Sequence, residues 1–365
     1  MGQRIVVKVG TSTLTAGTNH LNRQRMLELV QQLARLHTQR HEVILVSSGA
    51  QAAGRERLGF PDLGKSLPAK QMLAAVGQGR LVHHYSELFD IFEIVVAQVL
   101  LTRDDLSHRT RYLNARDTLL TLLERRIIPI INENDTVVTD EIRVGDNDNL
   151  SAMVASVLEA DLLIMLTDQQ GLFTADPRLD NSAQLIRTVE RVDDTTYALA
   201  GGTGTKLGTG GMATKIEAAH TASRSGVVAV IAQGTEPDAI TRIVDGEPIG
   251  TRFETTTTHL ESRKRWLLTD RIQGMIHIDA GASRALLKNG ASLLAVGVTR
   301  VEREFERGAT LAIFDPDGNE IAHGLSNYSS TELSKLRGVK STQISDILGY
   351  NYGDHIRHRN NLVLM

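Results

Sequence analysis

Apolar residues fall into two alternating patterns along the chain. Short β-branched runs at 4–10, 42–50, 93–101, 127–135, 161–168 and 226–234 lack the polar alternation of a half-exposed strand. Between most of them lie longer amphipathic stretches. In residues 22–37, Met26, Leu29, Val30, Leu33 and Leu36 recur at helical spacing, and helical character also runs from about 67 to 90. Continuous apolar strands separated by helices predict a parallel sheet covered on both faces. Residues 136–148 read as a hairpin or extended loop leaving that sheet, and a glycine-rich run from 200 leads into a further helix at about 213.

The pattern changes near residue 235. A Thr-rich stretch at 250–268 predicts a helix-poor linker or edge element, and short apolar runs with turn signals follow it. Among them "DPDGN" (315–319) predicts a hairpin, because Pro and Gly suit successive turn positions. The expected division is 1–255, a linker at 256–272, and a β-rich unit at 273–365.

Composition narrows the function classes. At 365 residues the chain has room for one large domain and a smaller one. A formal net charge of −3 supplies no general attraction for nucleic acid or for an anionic membrane. Residues 273–365 carry ten Lys or Arg against ten Asp or Glu, so RNA is not an expected partner of that unit. The basic run Arg263–Lys264–Arg265–Trp266 reads as mainly structural. Absence of cysteine excludes disulfides, thiolate nucleophiles and Cys-based zinc sites. No stretch nears the roughly 20 apolar residues of a membrane span, and the apolar run at the N-terminus is too short for a signal peptide. A cytoplasmic location is the expectation.

Ligands of such sheets collect beyond the carboxyl ends of the strands. There the first strand delivers Lys8, Gly10, Thr11 and Ser12, the second Ser47, Ser48 and Gly49, the fourth Asn132 to Asp135, and the fifth Thr167 and Asp168. Lys8 is anomalous inside "IVVKVG": a lysine there must reach the strand's end or meet a buried anion. Lys215 follows the glycine-rich run, whose backbone N–H groups, backed by a helix N-terminus, suit a phosphate chain. The run has neither Walker A spacing nor a Gly-x-Gly-x-x-Gly fingerprint. Phosphoryl transfer needs placement and cations more than covalent chemistry. Lys8 and Lys215 could flank the moving group, and two such lysines need a carboxylate between them, for which Asp148 is the candidate. Asp146, Asn147, Asp148 and Asn149 stand together before an apolar helical pattern, in excess of what one helix cap requires.

Taken together, "VVKVGTSTL", "VSSGA", "QMLAAVGQ", "LNARDTL", "PIINENDTV", "VGDNDNLSA", "LTDQQGLFTADPR" and "GTGGMATKIEAA" resemble the glutamate 5-kinases of the amino-acid kinase family. "RKRW" and "AHGLSNYSS…ILGY" resemble the longer form of that family, which carries a C-terminal PUA domain. The resemblance implies a three-layer α/β sandwich with a mainly parallel central sheet, plus a small β-rich PUA-like domain. It implies ATP-dependent phosphorylation of the γ-carboxylate of L-glutamate with Mg²⁺ on the ATP phosphates, as the first step of proline biosynthesis and with proline as inhibitor. By the same resemblance Lys8 and Lys215 stabilise the transferring phosphoryl group and Asp148 organises them. Ser48, Asp135 and Asn147 bind glutamate, with Asn132 and Asp146 nearby. Lys8, Gly10, Thr167, Asp168, Thr209, Gly210, Gly211, Met212, Ala213, Thr214 and Lys215 bind ATP, Gly10 and Gly49 allowing close backbone passage. Family members are dimers or tetramers, and the acyl phosphate would pass to glutamyl phosphate reductase.

The residues agree with that chemistry. A carboxylate nucleophile is ionised at neutral pH, so no general base is needed, and His83, His84, His355 and His358 read as solvated surface residues. A substrate ammonium would account for the surplus acids around Asp135. The alternatives are another amino-acid kinase, acting on acetylglutamate, aspartate or a nucleotide, and an RNA-binding protein with a vestigial kinase domain.

Overall fold

A computed structural model describes the chain except residues 1, 65, 139–145, 201–210, 290, 354 and 357–361, and apart from the side chains of 146, 263, 265, 266, 269 and 289. The chain divides into two compact units, residues 1–106 with 115–259, and residues 107–114 with 260–365.

Through residue 259 the chain runs β1 (Arg4–Val9), α1 (Thr11–Thr15), α2 (Arg23–Thr38), β2 (Glu42–Ser47), α3 (Ala50–Arg57), α4 (Leu67–Asp90), β3 (Val96–Leu101), α5 (Arg103–Ser107) and α6 (Arg109–Glu124), the start of α6 belonging to the second unit. It continues β4 (Ile128–Glu133), α7 (Asp146–Leu158), β5 (Leu162–Thr167), β6 (Thr188–Val189), α8 (Asp194–Leu199), α9 (Met212–Arg224), β7 (Val228–Gln233), α10 (Ala239–Val244) and β8 (Thr251–Phe253). Its eight-stranded sheet has the order β3-β4-β2-β1-β5-β7-β8-β6. The pairings from β3 through β7 are parallel, and β8 runs antiparallel to β7.

Every apolar run read as a strand is one, trimmed at one or both ends. Residues 10, 48–50, 134–135 and 168 fall beyond the strands, in the loops and helix starts above the sheet. Strand period then decides what β1 offers to each face. Ile5, Val7 and Val9 enter the core shared with α2, α4 and α10. Val6 and Lys8 therefore face the other side, where α7 packs on β1 and α9 packs on α7. This is why one strand lysine meets residues from two distant helices.

On the first face α3 and α4 touch backbone to backbone. A Cβ at Gly54 would lie 1.9 Å from Leu73 O, and one at Gly77 only 1.8 Å from Ala50 O. Glycine is needed at both because there is no room for any side chain.

The second unit contains α11 (His259–Thr269), β9 (Gly274–Ile278), α12 (Ala280–Asn289), β10 (Val298–Glu302), β11 (Thr310–Phe314), β12 (Glu320–Leu325), α13 (Ser330–Leu336), α14 (Ile344–Leu348) and β13 (Leu362–Leu364). Its sheet order is β10-β9-β11-β12-β13, antiparallel except for β9 with β11. The hairpin at 315–319 forms as expected: Asp315 Oδ1 accepts from the N–H groups of Asp317 and Asn319, and Gly318 takes φ +83°. Residues 107–114 belong here because Arg109 pairs with Asp270 and donates to Gly308 O and Thr310 Oγ1, while Leu113 is buried with Leu267, Leu325 and Val363.

Three local expectations are corrected. The Thr-rich stretch is not helix-poor: α11 begins directly after the threonines, carried by burial of Leu267. Asp146 to Asp148, expected in an extended loop, already form the first turn of α7; 139–145 lie outside the described residues. His84 is buried beside Arg23 and Glu87, and His355 is half-buried. His83 is exposed as expected, and His358 lies outside the described residues.

Candidate active site

Above the carboxyl ends of β1, β2, β4 and β5 lies a cleft of about 620 Å³. Its lining joins strand-end residues with the first turns of helices: Lys8, Gly10, Ser48 and Asn132 with Asn147, Asp148 and Lys215. Asp135, Thr167 and Asp168 also line it.

Asp148 is the hub. Its Oδ1 lies 2.5 Å from Lys8 Nζ, and its Oδ2 is 3.2 Å from Lys215 Nζ and accepts from Thr214 Oγ1 at 2.8 Å. All three charged residues are buried, Asp148 to 1% exposure. Burial alone would raise the carboxyl's pKa. The two ammonium groups and the hydrogen bonds from Lys8 and Thr214 outweigh it and hold Asp148 below the usual carboxylate range. Burial lowers the pKa of Lys8, with Asp148 pulling it back up and Lys215 adding to the fall. A buried charge triad is costly, and one anion between two cations leaves positive charge facing the cleft.

Asn147 and Asp148 do not cap α7 with their side chains. Asn147 Nδ2 donates to Ser48 Oγ and to Asn132 Oδ1, each at 3.0 Å. Asn132 Oδ1 also accepts from Glu133 N–H, and Asn132 Nδ2 donates to Gln78 Oε1 at 2.7 Å. Asn147 Oδ1 and Gln78 Nε2 are shut off from solvent without a partner. Across the cleft mouth Gln51 Nε2 donates to Asp135 Oδ1 at 3.3 Å. Burial raises the Asp135 pKa, and this bond offsets only part of the rise.

Where nucleotide was expected, Thr167 Oγ1 donates to Asp168 Oδ1 at 3.0 Å. Gly211 precedes the first residue of α9 and provides no side-chain cap for the N–H groups of that first turn, at Met212, Ala213 and Thr214. Gly211, Met212 and Ala213 do not line the cleft, and Thr214 reaches it through Asp148. Thr209 and Gly210 lie outside the described residues, as does the side chain of Asp146. The two glycines differ in their reasons. Gly49 has φ +108°, which side chains rarely adopt, and a Cβ there would press on Leu14 at 3.1 Å. Gly10 has ordinary extended backbone, and its Cβ would sit 3.6 Å from Lys8 Nζ, in space beside the lysine.

Sequence reasoning missed Gln51, Lys70 and Gln78. Gln51 could have been found, since it lies in the first turn after the second strand's end. Lys70, which lines the cleft, and Gln78, which bonds Asn132 behind it, sit within a long helix whose pattern gives no sign of which turns approach the site.

Residues 3–233, which hold the mainly parallel sheet and both lysines that meet Asp148, match the Amino acid kinase family model. Residues 274–348 match that of the PUA domain. The chain belongs to the amino acid kinase family. Within it, the chain is similar over nearly its whole length to glutamate 5-kinases. It is 55% identical to that of Herpetosiphon aurantiacus over 361 residues, covering 99% of this chain and 98% of that one. It is 51% identical to that of Deinococcus radiodurans over 362 residues, covering 99% and 100%. Among solved structures, carbamate kinase from Giardia lamblia bound to AMP-PNP shares the fold, with a TM-score of 0.52 at 15% identity over 70% of this chain and 99% of that one.

Proposed function

We propose that the chain transfers the γ-phosphoryl group of ATP to the γ-carboxylate of L-glutamate, giving γ-glutamyl phosphate and ADP. The observation that carries this reading is Lys8 and Lys215 closing on the two oxygens of Asp148 at the edge of one cleft, in a chain similar end to end to glutamate 5-kinases.

The chemistry follows from the residues. Glutamate's γ-carboxylate is ionised at neutral pH and needs no base. The barrier lies in bringing an anion against an anionic phosphate and in stabilising the oxygens of the migrating PO₃ unit. Lys8 and Lys215 supply that charge from fixed positions, so no reorganisation is required as it develops. Asp148 keeps the two ammonium groups together in the absence of phosphate. Ser48, Asn147 and Asp135 seat the amino acid, Asp135 facing its ammonium, with Asn132 behind them and Asp146 on the same helix turn. Gly10, Thr167, Asp168 and the stretch 209–215 hold ATP, and Mg²⁺ enters on the nucleotide's phosphates.

The labile acyl phosphate suits a cytoplasmic proline-biosynthetic sequence with hand-off to a reductase, with proline as feedback inhibitor and the chain acting as a homo-oligomer. No described helix is long and apolar enough to cross a membrane. The decisive assay supplies ATP, Mg²⁺, glutamate and hydroxylamine. Glutamate-dependent hydroxamate with stoichiometric ADP is expected. ADP release that is indifferent to glutamate but responds to acetylglutamate, aspartate or UMP would assign a different amino-acid kinase.

A further inference from the structure

Three carboxamides stand in series behind Ser48, and their polarity has one pinned end. The Glu133 N–H cannot be reversed, and it donates to Asn132 Oδ1. That fixes the Asn132 amide with its oxygen toward Asn147 and its nitrogen toward Gln78, where Gln78 Oε1 accepts it at 2.7 Å. Asn147 must then present its own nitrogen, and it donates to both Asn132 Oδ1 and Ser48 Oγ. Turning any one amide would set oxygen against oxygen or nitrogen against nitrogen. The arrangement persists although it leaves Asn147 Oδ1 and Gln78 Nε2 without partners among the described residues, which is unfavourable for buried polar groups.

The consequence falls on Ser48. A hydroxyl that accepts from Asn147 has its proton left over, and Ser48 lines the cleft. We propose that Gln78 is a positioning residue: its oxygen, seated on the Asn132 nitrogen, works with the Glu133 N–H to hold the amide series in the sense that makes the Ser48 hydroxyl a donor, aimed at a carboxylate of the bound amino acid. Gly77 contributes, since its missing side chain lets α4 settle on Ala50 O and carries Gln78 to the depth of Asn132. The inference rests on the glutamate-kinase reading and adds a residue to it.

The test is a double-mutant cycle read by hydroxamate formation. Gln78→Met and Gln78→Leu remove the acceptor, and variants that keep the wild-type melting profile are assayed. Each is expected to raise the glutamate KM about tenfold, the effect of one misdirected hydrogen bond to a charged group, with kcat and the ATP KM within about twofold. Gln78→Glu keeps the acceptor and restores the glutamate KM. In a Ser48→Ala background, Gln78→Met adds less than about twofold, because both changes remove the same donor. Multiplying effects of the two substitutions, or an equal rise in the ATP KM, would overturn the assignment. If the wild-type chain forms no glutamate-dependent hydroxamate, the kinase reading itself fails, a separate outcome.

Discussion

Lys8 and Lys215, from the first strand and the ninth helix of the first unit, lie 2.5 and 3.2 Å from opposite oxygens of Asp148. Neither helix nor strand would place them so alone. Lys8 is turned there by the two-residue period of β1, and Lys215 by the first turn of α9, which packs on α7 beside Asp148. In the proposed reaction the carboxylate holds the pair poised, and a phosphoryl group arriving between them would meet charge already assembled.

Removing either lysine should therefore act on the chemical step. Lys8→Ala and Lys215→Ala are each expected to lower kcat by about 10²–10³, the usual effect of losing one fixed donor to developing charge, with KM values changed far less. Steady-state kinetics check this. A large rise in KM at unchanged kcat would mean that the lysine binds substrate and transition state alike.

Asp148→Asn should weaken the fold as well as the reaction. It leaves two buried ammonium groups without a counter-ion, and breaking a buried pair costs about 3–5 kcal/mol. The sign of the pH dependence follows from the depressed carboxyl. A folded-state pKa below the unfolded value contributes stability that is present above the unfolded value, 3.8, and lost as pH falls through the folded one. Urea denaturation should show the full gap between wild type and variant at neutral pH, closing only in acid below about pH 4. A gap unchanged at pH 3 would show that Asp148 stabilises by packing.

Asp135 is predicted to trade stability for binding. Its pKa is raised by burial, so the folded state takes up the proton more readily and ionised Asp135 destabilises the protein at neutral pH. Asp135→Asn should melt higher than wild type, while its glutamate KM rises about ten- to a hundredfold through loss of the charge-assisted bond to the ammonium. A lower melting temperature with an unchanged KM would place the ammonium elsewhere.

The strands, and the gathering of Lys8, Asp148 and Lys215, were legible because both rest on local pattern. An apolar run marks a buried strand, and a lysine inside one demands an anion. What escaped depends on packing between distant segments. Gln78 and Lys70 resemble any polar residues of a long helix until the glycine contacts of Gly54 and Gly77 fix how α4 lies on α3. The helix α11 was hidden by the threonines before it, and Leu267 is buried there against Leu113, Leu325 and Val363, residues distant in sequence. His84 looked solvated beside exposed His83, yet adjacent helical residues face different ways, and Arg23 and Glu87 close over it.

The most direct measurement is a crystal structure with glutamate, ADP, Mg²⁺ and aluminium fluoride, the fluoride standing for the migrating phosphoryl group. The account predicts both Lys8 Nζ and Lys215 Nζ within about 3.2 Å of fluorine atoms, on either side of the group, with Asp148 still bridging them. A complex in which only one lysine reaches the fluoride, the other turned into a separate cavity, would contradict it.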